Sequence, residues 1–111
     1  MSRRLAFASL TLTSLALGAP WLHAGAANLV TIIQSHRAFS VTDLHLKRGD
    51  SVRFTNDDLF NHQVYVKSPA FSFDSAEQAP GEAVSVAFPV AGTFDVLCGM
   101  HPRMHLAVIV E

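Results

Sequence analysis

Cysteine is almost missing from this chain: Cys98 is the only one in 111 residues. An internal disulfide is therefore excluded, and with it the usual reinforcement of a small exported domain. Basic runs are missing as well. Eight Lys and Arg stand against nine Asp and Glu, a formal net charge of −1 with neutral histidines, and no segment concentrates the positive charges. That excludes a nucleic-acid-binding stripe. Past the amino-terminal segment there is no apolar run of membrane-spanning length. No helical stripe, internal repeat or low-complexity segment occurs. Neither a Ser-His-Asp set nor a Gly-rich phosphate loop is present, so the common hydrolases and nucleotide enzymes have no signature here.

What is there begins with a leader. MSRRLAFASLTLTSLALGAPWLHAGAA sets Arg3 and Arg4 before an apolar stretch from Leu5 to about Ala19, followed by small residues. This is the three-part order of a secretory signal peptide. Ala24-Gly25-Ala26 fits the small-x-small cleavage rule. Residues 1–26 are therefore expected to be a signal peptide and residues 27–111 a single mature domain. The apolar run is short and interrupted by Ser9, Thr11, Thr13 and Ser14, which argues against a retained membrane anchor. From Ala27 onward, six Lys and Arg meet nine Asp and Glu, so the mature net charge is about −3. A domain this small is marginal on its core alone. An exported chain with one unpaired Cys uses it as an intermolecular link, a reactive thiol or a metal ligand.

From Ala27 onward the pattern is that of strands punctuated by turns. Asn28–Ser35 is rich in β-branched residues. Asp43–Leu46, SVRFTN and HQVYVK alternate, the last with His62, Val64 and Val66 on one face. Arg48-Gly49-Asp50 and Ala79-Pro80-Gly81 are turn signals. Asn56-Asp57-Asp58 reads as a loop with its acids in solvent, although an acidic contact for a partner is another reading. AFSFDSAEQAPGE reads as a loose loop with one short strand at Phe71–Phe73. Val84, Val86 and Phe88 alternate, as do Phe94, Val96 and Cys98, and Leu106–Val110 is the last strand. Seven or so short strands at this spacing argue for an all-β fold, a small β-sandwich or barrel.

This layout puts Cys98 at the end of a strand, facing inward with Phe94 and Val96. GMHPRM then leads into the final strand. Cys98, His101 and Met104 are spaced C-x2-H-x2-M. A thiolate, an imidazole and a thioether form a soft donor set suited to copper, and His62 is the best placed second imidazole. Taken singly, a buried Cys is a small hydrophobe, a strand His is a surface or hydrogen-bonded residue, and a loop Met is packing. Their joint occurrence at this spacing favours a metal site. His105 should point away from the site by strand alternation. His36 and His45 read as surface or edge residues.

With these residues in view, the chain resembles the cupredoxins, the small blue copper proteins, and within them the amicyanin-type and methylamine-utilisation-like members. Those share a short C-x2-H-x2-M loop with Pro after the loop His, as in CGMHPRM here. LKRGDSVRFTNDD is similar to the family's Gly-Asp turn and next strand. NHQVYV is similar to the strand that opens with the first ligand. The resemblance covers essentially all of the mature chain. It implies a Greek-key β-sandwich holding one copper ion, Cu(I) or Cu(II). It also implies His62, Cys98 and His101 as equatorial ligands and Met104 as the axial one. Three positions depart from the family. Gln63 stands where Asn is common, Gly99 where Ser or Thr is common, and Met100 where amicyanin has Pro. The usual hydrogen bond between the ligand loops is thus missing or rebuilt. An N–H from Met100 to the Cys98 sulfur is expected to favour the reduced site.

The expected function is an exported, periplasmic, monomeric type 1 copper protein that carries single electrons between redox partners and is not an enzyme. It would meet them through a transient apolar patch, with Met100 and Pro102, around His101. Neither nucleic acid nor a membrane span after signal cleavage is expected. The rivals are a Cu(I) chaperone or resistance protein using Cys98, Met104 and Met100, a metal-free interaction domain of the same shape, and a thiol enzyme. The last needs an open cleft and an oriented base that so short a chain has little room to build.

Overall fold

The computed structural model describes Ser2, Ala6, Ala8, Ser9, Thr11 and residues 26–111. Most of the expected signal peptide, residues 1–26, lies outside the described residues. Among them, no helix is long and apolar enough to cross a membrane.

Nine strands form where about seven were expected: β1 Leu29–Ser35, β2 Ala38–Phe39, β3 Asp43–Leu46, β4 Ser51–Asn56, β5 His62–Lys67, β6 Ser72–Gln78, β7 Ala83–Ala87, β8 Gly92–Cys98 and β9 His105–Val110. They make two sheets, in the orders β2-β1-β4-β7 and β3-β9-β8-β5-β6. The pairs β1–β4 and β3–β9 are parallel and the others antiparallel. The alternation read from the sequence is the alternation of burial. Val52 and Phe54 of β4, Val64 and Val66 of β5, and Phe94 and Val96 of β8 are buried between the sheets. Phe54 and Phe88 are fully buried, each worth about 1.5–3 kcal/mol of burial. Phe71 packs edge-on to Phe94 at 5.7 Å and tilted against Phe88 at 5.3 Å.

Two stretches differ from the sequence reading. The segment expected as a loop with a short strand at Phe71–Phe73 is a seven-residue edge strand, β6. Its polar composition hid it, because an edge strand buries little on its outer side. It also carries a β-bulge. Gln63 pairs with Glu77 and Tyr65 with Asp74, so Ser75 and Ala76 both oppose Val64, and Ala76 takes φ +56. Asn56 is the second correction. It ends β4 fully buried instead of opening a solvated loop.

Further residues shape one end of the sandwich. Ser35 pairs with Ala38, so His36 and Arg37 form a two-residue turn at φ +54 and +56. That is the primed hairpin geometry, uncommon without Gly or Asn. The left-handed region costs a non-glycine residue about 1–2 kcal/mol. Something outside the hairpin must hold the turn, and the Asp58 carboxylate does, accepting both turn amides. Below this end lies a buried amide network. Gln34 Nε2 donates to Gln78 Oε1 at 2.8 Å, and Gln78 Nε2 donates to the carbonyls of Phe54 and Glu82, both at 2.9 Å.

Candidate metal centre

The register of the five-stranded sheet brings the first two candidates together. Val64 pairs with Cys98 across β5 and β8, so the inward faces of His62 and Cys98 are neighbours. His62 is fully buried and Cys98 is 2% exposed. His62 Nδ1 lies 3.4 Å from Cys98 Sγ. The sulfur also accepts the backbone N–H of Gln63 at 3.4 Å. The expected donor to this sulfur, Met100 N–H, is not its partner. The amide comes from the strand that carries His62, not from the loop after Cys98.

His101 and Met104 come from the loop between β8 and β9, residues 99–104. The Met104 N–H donates to the His101 carbonyl at 2.9 Å, which folds the loop back and sends Met104 into the core at 2% exposure. The His101 ring packs edge-on against His62, centroids 4.8 Å apart. His101 Nε2 is buried and has no hydrogen-bond partner. A buried ring nitrogen with nothing to satisfy it calls for an explanation. A metal ligand gives one. Of the four sequence candidates, His62 and Cys98 meet directly, the His101 ring packs on His62 with a buried nitrogen, and Met104 is buried at the foot of the same loop. No three His, Cys, Asp or Glu side chains among the described residues are drawn to closed metal-holding spacing. The fourth donor here is a thioether, and the soft set of two imidazoles, a thiol and a thioether fits copper.

His62 is oriented by a residue that sequence reasoning placed in solvent. Asp58 Oδ2 accepts from His62 Nε2 at 2.7 Å, and the Asp58 side chain is only 8% exposed. Its two oxygens also accept the amides of His36 at 2.6 Å and Arg37 at 3.0 Å. That is what holds the left-handed turn. Burial pushes the Asp58 carboxyl up, but the hydrogen bonds from Arg37, His62 and His36 outweigh it and hold the group below the usual carboxylate range. A carboxylate on Nε2 fixes the tautomer that leaves the Nδ1 lone pair facing the sulfur. Asn56 positions Asp58 in turn. Its Oδ1 accepts the Asp58 N–H at 3.0 Å, and its Nδ2 donates to the Phe60 and Gln78 carbonyls at 2.8 and 3.0 Å. The only sequence signal for this role was an acid four residues before a candidate ligand, and in a loop that spacing carries no fixed geometry.

The tie between the ligand loops is rebuilt, not lost. Gly99 N–H donates to the Gln63 carbonyl at 3.2 Å. The Gln63 side chain lies where a Cβ on Gly99 would stand, so its Oε1 and any side chain at position 99 exclude each other. Its amide donates to both Asp74 oxygens, at 3.0 and 3.1 Å. Gln63 and Gly99 are therefore one paired departure. Elsewhere, His105 is exposed, pointing away as expected, and its Nε2 bonds Asp95 at 2.8 Å. His36 and His45 are exposed.

The chain matches no family model. It is 33% identical over 76 residues to amicyanin-alpha of Methylorubrum extorquens, covering 66% of this chain and 64% of that protein. It is 32% identical over 90 residues to the chloroplastic plastocyanin of Tetradesmus obliquus, covering 72% and 62%. The chain spans 58–64% of the length of the curated relatives it matches. A solved structure of a proline-to-glycine mutant of amicyanin, in its reduced Cu(I) form at pH 4, superposes with a TM-score of 0.66. It is 30% identical, and the match covers 79% of this chain and 85% of that one.

Proposed function

This chain belongs to the cupredoxins, close to amicyanin in sequence and fold, and from that premise we propose that it is an exported type 1 copper protein carrying single electrons between redox partners. The family's cofactor is a single copper ion, and its members are electron carriers. His62, Cys98, His101 and Met104 are the ligands in this reading. The observation that carries it is the meeting of His62 Nδ1 with Cys98 Sγ at 3.4 Å, under a His101 nitrogen that is buried and unpartnered.

Copper supplies the one-electron couple. The chain's own part is to hold its donors still, so that little must move when the charge changes. His62 is fixed by Asp58, and Cys98 by the sheet register and the Gln63 amide. Core packing fixes Met104. Only His101 is partly exposed, so its outer edge is the route for the electron. A thiol that is 2% exposed supports a carrier over a catalyst, because a nucleophile must reach its substrate. The leader at residues 1–26 supports export, and a periplasmic monomer is part of the proposal.

The test is the visible spectrum of the purified domain after addition of Cu(II). An intense thiolate-to-copper band that bleaches with reductant, returns with oxidant and vanishes in Cys98→Ala supports the carrier. A colourless protein that takes up only Cu(I) would move the assignment to a copper chaperone. The exposed Met100 thioether beside His101, at 46% exposure, would then be its transfer ligand.

A further inference from the structure

Two guanidinium groups stand beside His101 with no carboxylate to neutralise them. A cleft of about 360 Å³ at this end of the sandwich is lined by Arg37, His101, Pro102 and Arg103. The ion pairs among the described residues all join a histidine to an aspartate, and none involves either arginine. The acids nearby do not fill the gap. Both oxygens of Asp58 are taken by the turn amides and His62. Asp57 shares an adjoining hollow with Arg37 without pairing to it.

Arg37 is held in this position. Its backbone is fixed at φ +56 by the bond from its N–H to Asp58, and its guanidinium lies 4.4 Å over the Phe60 ring. Phe60 meets the His101 ring edge-on at 6.2 Å. An arginine stacked on an aromatic face keeps its in-plane N–H fork free for an oxyanion. The chain as a whole is acidic, with a formal net charge of −1, so the positive cleft is a local feature set against the overall charge. Around it Leu59 is 90% exposed, Phe60 45% and Met100 46%, an apolar surround with a charged notch.

The geometry points to a docking cleft for an acidic side chain of a protein redox partner, its carboxylate seated between Arg37 and Arg103 against the His101 edge. The inference rests on the electron-carrier reading and adds the charge of the partner to it. The apolar surround supplies burial. The two arginines steer, set the approach and reject partners with a basic face, which is the usual division between apolar and charged groups in transient complexes.

The test uses the copper-loaded protein with two model partners, an acidic cytochrome and a basic one. Transfer to the acidic cytochrome should slow as ionic strength rises, because screening weakens the attraction. Arg37→Gln with Arg103→Gln should slow it on the order of tenfold at low salt and flatten its salt dependence. The blue band and the rate with the basic cytochrome should not fall. Unchanged rates with the acidic partner, or equal losses with both, would overturn the inference. A second arm does not need copper. Hexacyanochromate(III), a redox-inert paramagnetic trianion, is titrated into the protein as purified while amide signals are followed by NMR. Broadening confined to the amides of His36, Arg37, His101 and Arg103, lost in the double variant, supports the cleft. Scattered broadening overturns it. If inorganic phosphate at equal ionic strength removes the broadening and leaves cytochrome transfer unchanged, the cleft serves a free oxyanion and the docking assignment is wrong. A wild-type protein without a blue band would sink the carrier reading, and the second arm would still decide whether the cleft binds anions.

Discussion

Replacing Asp58 with Asn would separate orientation from charge at the metal centre. The carboxylate accepts three hydrogen bonds, from the His36 and Arg37 amides at 2.6 and 3.0 Å and from His62 Nε2 at 2.7 Å. Because Nε2 donates, Nδ1 keeps its lone pair, and Nδ1 is the atom 3.4 Å from the Cys98 sulfur. Asn has nearly the same shape but only one oxygen. The His36 amide is held by Oδ1 and both the Arg37 amide and His62 Nε2 by Oδ2, so an Asn oxygen at the Oδ1 place sets its NH2 against Nε2, a donor against a donor. The imidazole must then move its proton to Nδ1, where the lone pair is needed. Loss of such a partner typically costs 10–100-fold in metal affinity, about 1.4–2.8 kcal/mol. Asp58→Ala gives the stability side. His62 is fully buried, so an unpartnered Nε2–H costs about 1–3 kcal/mol. Water replaces most of what the exposed turn amides lose, but the left-handed turn loses its brace, and the sum is about 2–4 kcal/mol. That is a large share of the 5–15 kcal/mol typical of a whole domain. Copper competition against a chelator and urea unfolding of the metal-free protein measure the two effects. Asp58→Asn should weaken copper while keeping most of the stability, and Asp58→Ala should lose both. An Asn variant with wild-type affinity, and a His62 tautomer unchanged by NMR, would refute the reasoning.

Gly99→Ala should destabilise the wild type, because its Cβ displaces Gln63 Oε1 and with it the amide bonded to Asp74. In a Gln63→Ala background the same change should be neutral or stabilising by about 0.5 kcal/mol, since alanine limits the unfolded chain; urea unfolding of the four proteins reads the change of sign. Acid should unfold the protein through carboxylates whose folded pKa is depressed. Asp50 is held low chiefly by the Asn28 and Lys47 amides, and Asp58 by its three donors against the burial that raises it. Their stabilisation is complete above the unfolded carboxylate range, near pH 4, and is lost as pH falls through the lower folded values. A stability that instead rises on acidification, followed by circular dichroism, would contradict this sign. Removing copper should lower the melting temperature, by the equivalent of about 4 kcal/mol when free copper stands a thousandfold above its dissociation constant. Cys98→Ala should abolish most of that difference in a thermal scan.

The proposed ligand set could be read from the sequence because three of its members, Cys98, His101 and Met104, fall at the end of β8 and in the short loop after it, where sequence spacing is nearly spatial spacing. His62 was legible for another reason. Strand alternation put it on the same inward face as Val64, and the fold confirms that face. The long edge strand was not legible, since Ser72–Gln78 has no run of alternating apolar residues and is shaped by a bulge at Ala76. Asp58 was hidden by its neighbours. An Asn-Asp-Asp stretch is what a solvated turn looks like, and only the β1–β2 hairpin, folding over from more than twenty residues away, takes it out of water. Gln63 and Gly99 could be seen as departures from the family. That they compensate each other could not, because the compensation is a shared volume between two strand ends.

The bonds that join the two halves of the centre are mostly backbone bonds, and this has a consequence for how the site tolerates change. Gly99 N–H to the Gln63 carbonyl, Gln63 N–H to the Cys98 sulfur, and the pairing of Val64 with Cys98 need no particular side chain at position 63 or 99. This chain ties its loops by amides and uses the Gln63 side chain to reach β6. Substitution at Gln63 should therefore change the stability of the sheet edge while leaving the sulfur's hydrogen bond in place. Substitution at Asp58 should do the reverse to the metal, because there the constraint runs through one carboxylate and has no backbone to replace it. The sensitive point of the centre is the side chain that the sequence disguised as a turn.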